Sequence, residues 1–281
     1  MCSMGKHKPS RNKLRLLRSR RAIALPITFL ILFVSLVLLV TVTYYFSISR
    51  ISAKSLELKV SGAEQEMISL EKIIKFVSWS PGSYQIYEFG DFGGKLRVLP
   101  AAKTLVLTIT DGTTFQEVFF DHSVGEVLYE LPPSDSQENV FLTGDIRAVI
   151  NQSSATMAQL YTSPGEENYE MALSYRPLAG ATVTGSSNGK PVNSLRVYVI
   201  SLDSSENITR SGSFRLKITC ANVTSNWRTY DFSNSITSLL IKASLDDASG
   251  QVLLPISSNA QGAIVNLETI TCSIKLEDAG W

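Results

Sequence analysis

For 28 consecutive residues, 22–49, this 281-residue chain carries no charged side chain. A helix needs roughly 20 apolar residues to cross the hydrocarbon layer of a bilayer, so one span fits. No second stretch of this kind follows. The apolar region of a secretory signal peptide is shorter, roughly 7–15 residues, and ends at a small-residue cleavage site. Here the run is about twice that, and VTYYFSISRISAK behind it offers a poor site, so the helix is expected to stay in the protein.

The net charge of +1 hides a sharp partition. Residues 1–22 hold eight of the 26 Lys and Arg (Lys6, Lys8, Arg11, Lys13, Arg15, Arg18, Arg20 and Arg21) and no Asp or Glu. Beyond them stand 18 basic against 25 acidic residues, a net of −7. Lys and Arg beside a span are retained on the cytoplasmic side. The expected organisation is therefore a basic cytoplasmic leader at 1–22, a transmembrane helix at 23–49, and everything after it extracytoplasmic, at the cell surface.

The helix is not expected to stop at the membrane. Phe46, Ser49, Ala53, Leu56, Val60, Ala63, Met67, Leu70, Ile74 and Val77 recur at steps of three and four, the signature of one apolar helix face. Charged residues occupy the other faces, with Glu71 and Lys75 spaced for an i,i+4 pair. Residues 50–80 thus read as an amphipathic stalk, and a helix over 25–78 would be on the order of 80 Å long. Gly62, which costs a helix about 1 kcal/mol relative to Ala, marks where it could break. The stripe can pack on the chain's own domain or on neighbouring copies.

SWSPGSY should end the helix, and short strands separated by Gly, Pro and Asp-Gly signals follow. The first set is expected at 85–89, 95–99, 104–110, 115–120 and 126–131, with a hairpin around Asp111-Gly112. A second set is expected at 155–162, 169–175, 194–202, 213–224, 229–232, 235–243, 251–256 and 264–276, and AGATVTGSSNGKP reads as a loop. The fold class is α+β: a long N-terminal helix and then an all-β, sandwich-like region over 81–281, either one sandwich or two halves meeting near 133–140.

Cys220 and Cys272 lie in two alternating segments, FRLKITCANV and LETITCSIKL, which could run side by side. They form a candidate disulfide, permitted outside the cytoplasm, and closing a loop of this length stabilises by about 4 kcal/mol in the chain-entropy view. The other reading is two buried thiols. Asn151, Asn207 and Asn222 open N-x-[ST] sequons that permit glycosylation.

Little in the chain suggests a reaction. The external part has one histidine, His122, beside Asp121 in an expected hairpin or loop, and there is no G-x-S-x-G elbow. No H-E-x-x-H, C-x-x-C, calcium loop or glycine-rich phosphate loop is present. Asp246-Asp247 reads as a turn, and Glu166-Glu167 and Glu277-Asp278 as solvated carboxylates. The expectation is a protein that is not an enzyme, with no cofactor, no metal, no small-molecule substrate and no nucleic-acid partner.

Arg21-Ala22-Ile23-Ala24, a basic residue and a small one directly before an apolar helix, resembles the processing site of archaeal type IV pilin-like precursors, the class III signal peptide. The long helix, half apolar and half amphipathic, followed by β structure, is similar to pilins and archaellins. Ile27 stands where many bacterial pilins carry a glutamate. The resemblance implies that a prepilin-type peptidase removes the leader between Ala22 and Ile23, and that the freed helix joins like subunits in a filament or membrane assembly. An uncleaved single-span protein presenting a β-sandwich binding module is the alternative.

Overall fold

The computed structural model describes residues 15–132, 140–151, 155–164, 168–203, 207–246 and 248–280, with side chains from Pro26 onward. Helix α1 (Arg15–Val77) is followed by β1 (Tyr84–Phe89), β2 (Lys95–Thr110), β3 (Gln116–Leu131), β4 (Phe141–Thr143), β5 (Ala158–Pro164) and β6 (Tyr169–Tyr175). Then come β7 (Leu178–Ser187), β8 (Lys190–Leu202), β9 (Ile208–Ser211), β10 (Phe214–Phe232), β11 (Ser238–Leu245), β12 (Ala248–Pro255) and β13 (Ala263–Asp278). This is the α+β class, a long apolar N-terminal helix before a sandwich-like β region.

The chain forms two compact units, Met1–Leu56 and Glu57–Trp281. In the first, α1 is long and apolar enough to cross a membrane. Pro26 causes no break, and neither does Gly62 in the second unit. Gly62 instead makes room: a Cβ there would collide with the Phe92 ring, so the helix accepts a poor helix former to seat an aromatic side chain.

In the second unit the final turns of α1 bury Val60, Ala63, Met67, Leu70, Ile74 and Val77, the lower part of the apolar stripe. At roughly 2 kcal/mol per buried aliphatic side chain, this face holds the helix end to the β region. Upstream, Phe46, Ser49 and Ala53 of the same stripe are exposed. Glu71 is buried, and its desolvation raises its pKa despite the nearby charges of Lys75 and Lys72. The expected surface pair is thus a carboxyl inside the domain with two lysines acting on it.

A five-stranded sheet runs β1-β10-β13-β8-β7, parallel only between β13 and β8. An eight-stranded antiparallel sheet runs β12-β11-β2-β3-β6-β5-β4, with β9 on the first residues of β2. The strands enclose two cores. One joins the helix stripe to Phe89, Leu96, Tyr129, Met171, Leu216 and Ile274, with Phe89 and Phe214 stacked 5.1 Å apart. The other lies between the sheets and is built on Leu105, Leu107, Ile109, Val197, Ile241 and Leu267.

Several long strands serve both cores, and their inward parity reverses on the way. In β13, Val265 and Leu267 enter the sheet-only core, whereas Cys272, Ile274 and Leu276 enter the helix core. In β8, Leu195, Val197 and Val199 precede Ile200 and Leu202 in the same manner. Because successive side chains of a strand face opposite sides, the odd and even residues of β8 and β13 serve the two cores from opposite faces of these strands. Both cores draw on residues before and after 133–140, most of which lie outside the described residues.

Four local expectations are corrected, the first being that the segments expected at 213–224 and 229–232 form one strand, β10. The segments expected at 95–99 and 104–110 form one strand, β2, with Pro100 at an irregularity between Leu99 and Lys103 where its missing N–H is tolerated. Likewise 115–120 and 126–131 join through β3, so His122 is in a strand and not in a loop. AGATVTGSSNGKP is largely β7 and the start of β8, turned by Asn188 (φ 50°) and Gly189 (φ 78°), the positive pair that favours a tight hairpin.

Candidate functional site

From Pro26 to Ser55 every side chain is exposed, including Phe29, Leu30, Phe33, Leu36 and Leu39. Water is a poor solvent for such a surface. Four hydroxyls along it need no water: Ser35 donates to Leu32 O (2.9 Å), Thr41 to Val37 O (2.8 Å), Thr43 to Leu39 O (2.8 Å) and Ser47 to Thr43 O (2.8 Å). With helical backbone groups also satisfied internally, the uncharged part of this stretch, 26–49, has the chemistry that a hydrocarbon solvent demands. Arg21, Ala22 and Ile23 belong to the helical run of α1, and their side chains lie outside the described residues.

The other site is the helix exit. After Val77 the chain turns through Trp79, whose φ of 68° is unusual for a bulky residue, and Gly82 (φ 81°). Ser78 Oγ donates at 2.6 Å to Ile74 O, which also accepts from Ser78 N–H, and Ser83 Oγ donates to Val77 O at 2.8 Å, a carbonyl of the last turn. The Trp79 ring meets Tyr198 edge-on at 5.5 Å.

Cys220 and Cys272 stand against this turn. Gly82 N–H donates to Cys220 O at 2.8 Å, Cys220 N–H to Ser83 O at 3.0 Å, and Trp79 N–H to Cys272 Sγ at 3.4 Å. β10 and β13 are antiparallel neighbours, as the alternating patterns of the two segments suggest. A bulge between Cys220 and Asn222 brings the thiols together, Sγ to Sγ 3.6 Å, both buried and not bonded. Burial pushes the Cys272 thiol up to about 12. The Tyr175 hydroxyl, buried beside Cys272 and Glu71, finds no hydrogen-bond partner among the described residues.

The three sequon asparagines are all exposed. Asn151 Nδ2 donates to Leu253 O at 3.3 Å, Asn207 lies just before β9, and Asn222 follows the β10 bulge. His122 is exposed and its ring lies 4.9 Å from that of Phe120. Among the described residues no three His, Cys, Asp or Glu side chains converge. Glu277 is held low by Lys275, 2.7 Å away, and Asp278 by Gly280 N–H and Arg210. Glu166-Glu167 and Asp247 lie outside the described residues.

One feature had no mark in the sequence. Arg176 is fully buried and donates to Thr156 O (3.0 Å), Arg147 O (2.9 Å), Asp145 O (3.1 Å) and the Asp145 carboxylate. Hydrogen bonds from Arg147 and Arg176 hold Asp145 far below the usual carboxylate range. The guanidinium fixes a connection that would otherwise bury carbonyls without donors.

Comparison with known protein families, with curated proteins and with solved structures finds no match. The fold and these sites define a class only: a β-sandwich-like domain preceded by one helix able to cross a membrane.

Proposed function

We propose that this chain is a pilin-like cell-surface structural protein, without a reaction of its own. The basic leader holds the N-terminus at the cytoplasmic face, α1 crosses the membrane, and the β domain stands outside. A prepilin-type peptidase cuts between Ala22 and Ile23. Removing eight positive charges deletes the cytoplasmic anchor, so that the apolar helix can leave lipid for a bundle of helices from like subunits.

The observation that carries this reading is α1 itself. One helix exposes every side chain from Pro26 to Ser55 and then buries Val60 to Val77 in its own domain. Its first stretch therefore needs lipid or other helices, and its second needs neither.

An uncleaved anchor is the second reading. It is favoured by the unbroken helical run from Arg15 through Ala22 and Ile23, which offers a peptidase no extended segment. Intact-mass and N-terminal analysis of the chain purified from its own membranes separates the two. Pilin-like processing gives a mature chain beginning at Ile23, and Arg21→Glu with Ala22→Glu keeps the full leader. A wild-type chain beginning at Met1 contradicts the processed reading and leaves the anchor.

A further inference from the structure

We propose that Cys220 and Cys272 are joined by a disulfide in the exported protein, and that this bond locks the helix-exit turn to β10 and β13. The oxidised state rests on the outward placement of the domain proposed above.

Geometry carries the assignment. Cys220 opposes Ile274 and Cys272 opposes Val223, so the two cysteines are diagonal neighbours across one antiparallel pair. Diagonal neighbours are ordinarily too far apart to bond. The bulge places two β10 residues opposite one of β13, which re-aims the Cys220 side chain. The resulting 3.6 Å contact closes to a bond of about 2 Å by small side-chain rotations, without any change of register.

The location says what the bond does. Both backbone groups of Cys220 are used by the turn at Gly82 and Ser83, and Cys272 Sγ accepts from Trp79, a residue held at positive φ. Linking the sulfurs therefore joins three pieces of chain, the helix exit, β10 and β13, where α1 enters the β region.

Bond formation is a two-electron oxidation. A cysteine thiolate attacks a sulfur of a carrier disulfide, a protein or small-molecule disulfide outside the cytoplasm, and a mixed disulfide forms as one carrier thiolate leaves. The second cysteine loses its proton and displaces the remaining carrier sulfur. The protein ends as the disulfide and the carrier as a dithiol, which takes up the two protons that the cysteines give up. Both side chains are fully buried after folding, so exchange precedes the docking of the helix end, and the finished bond is out of reach of reductants.

The test uses the full chain, purified from membranes of cells that export it, and denatured in N-ethylmaleimide without reductant. Peptide mass spectrometry should find Cys220 and Cys272 unalkylated and linked, the pair lighter by two hydrogens, with both alkylated once a reductant is added. Cys220→Ser with Cys272→Ser should lower the melting temperature by about 10 °C. Protease access to the β domain in intact cells is read in parallel. An accessible domain whose two cysteines alkylate without reductant overturns the disulfide and leaves the outward reading standing. A protected domain overturns the outward reading and the lock with it.

Discussion

Within α1, residues 26–55 and the stripe from Val60 to Val77 carry apolar side chains of the same kind, yet the first set is wholly exposed and the second lies at 5 % exposure or less. The helical spacing does not distinguish them. What differs is the partner: β1, β2, β6, β10 and β13 supply apolar residues to the second stretch, and no described residue beyond α1 does so for the first. On the proposed reading one helix is fitted to two solvents, and its sequence marks the change by the return of charge after residue 49.

A charge introduced into each stretch breaks the symmetry most strongly. Leu70→Asp buries a carboxylate among Met67, Ile74 and the β core, and should destabilise the β domain by about 5 kcal/mol, enough to lose its cooperative thermal transition at 37 °C. Leu36→Asp should leave that transition in place. It should instead weaken membrane insertion by about 3 kcal/mol, read as loss from the carbonate-resistant membrane fraction. Equal effects of both variants on the domain's melting would remove the distinction.

A smaller effect sharpens the same contrast. Burial raises the pKa of Glu71, so the folded domain holds this proton more tightly than the unfolded chain. Stability therefore falls as pH rises from the unfolded value, about 4.3, through the folded one. Lys75 and Lys72 offset part of this loss. Urea unfolding of Glu71→Gln should show the variant gaining on the wild type between pH 4 and pH 7.

Much of this organisation is legible in the residues. The uncharged run, the stripe and SWSPGSY place the body of α1 and fix its end to within a residue, because helical period and stop signals are local, whereas its start, expected near Leu25, lies at Arg15. Alternating segments place β6 and most of β8, β10 and β13, and the neighbouring of Cys220 and Cys272 follows from two such segments. What escapes is non-local. Pro100 reads as a break until the bulge that accommodates it is seen, and nothing local marks Gly125 as the place in β3 where a missing Cβ leaves space for Leu202 O at the end of β8. Asn188-Gly189 is a hairpin signal outweighed in the sequence by the Ser and Gly around it. The reversal of parity in β13 is written in the spacing of Val265, Leu267, Cys272 and Ile274, but only a second core gives it meaning. Arg176 looks like a surface cation until the carbonyls of Asp145, Arg147 and Thr156 converge on it.

The most direct test of the two-solvent helix is flotation with lipid vesicles, comparing the full chain with a chain beginning at Glu57. The full chain should float with the lipid, and the shortened one should stay in the aqueous fraction as a folded, monomeric β domain with an unchanged melting temperature. A shortened chain that floats, or a full chain that stays behind, would contradict the proposed placement of residues 26–49 in the membrane and of Val60 to Val77 in the domain.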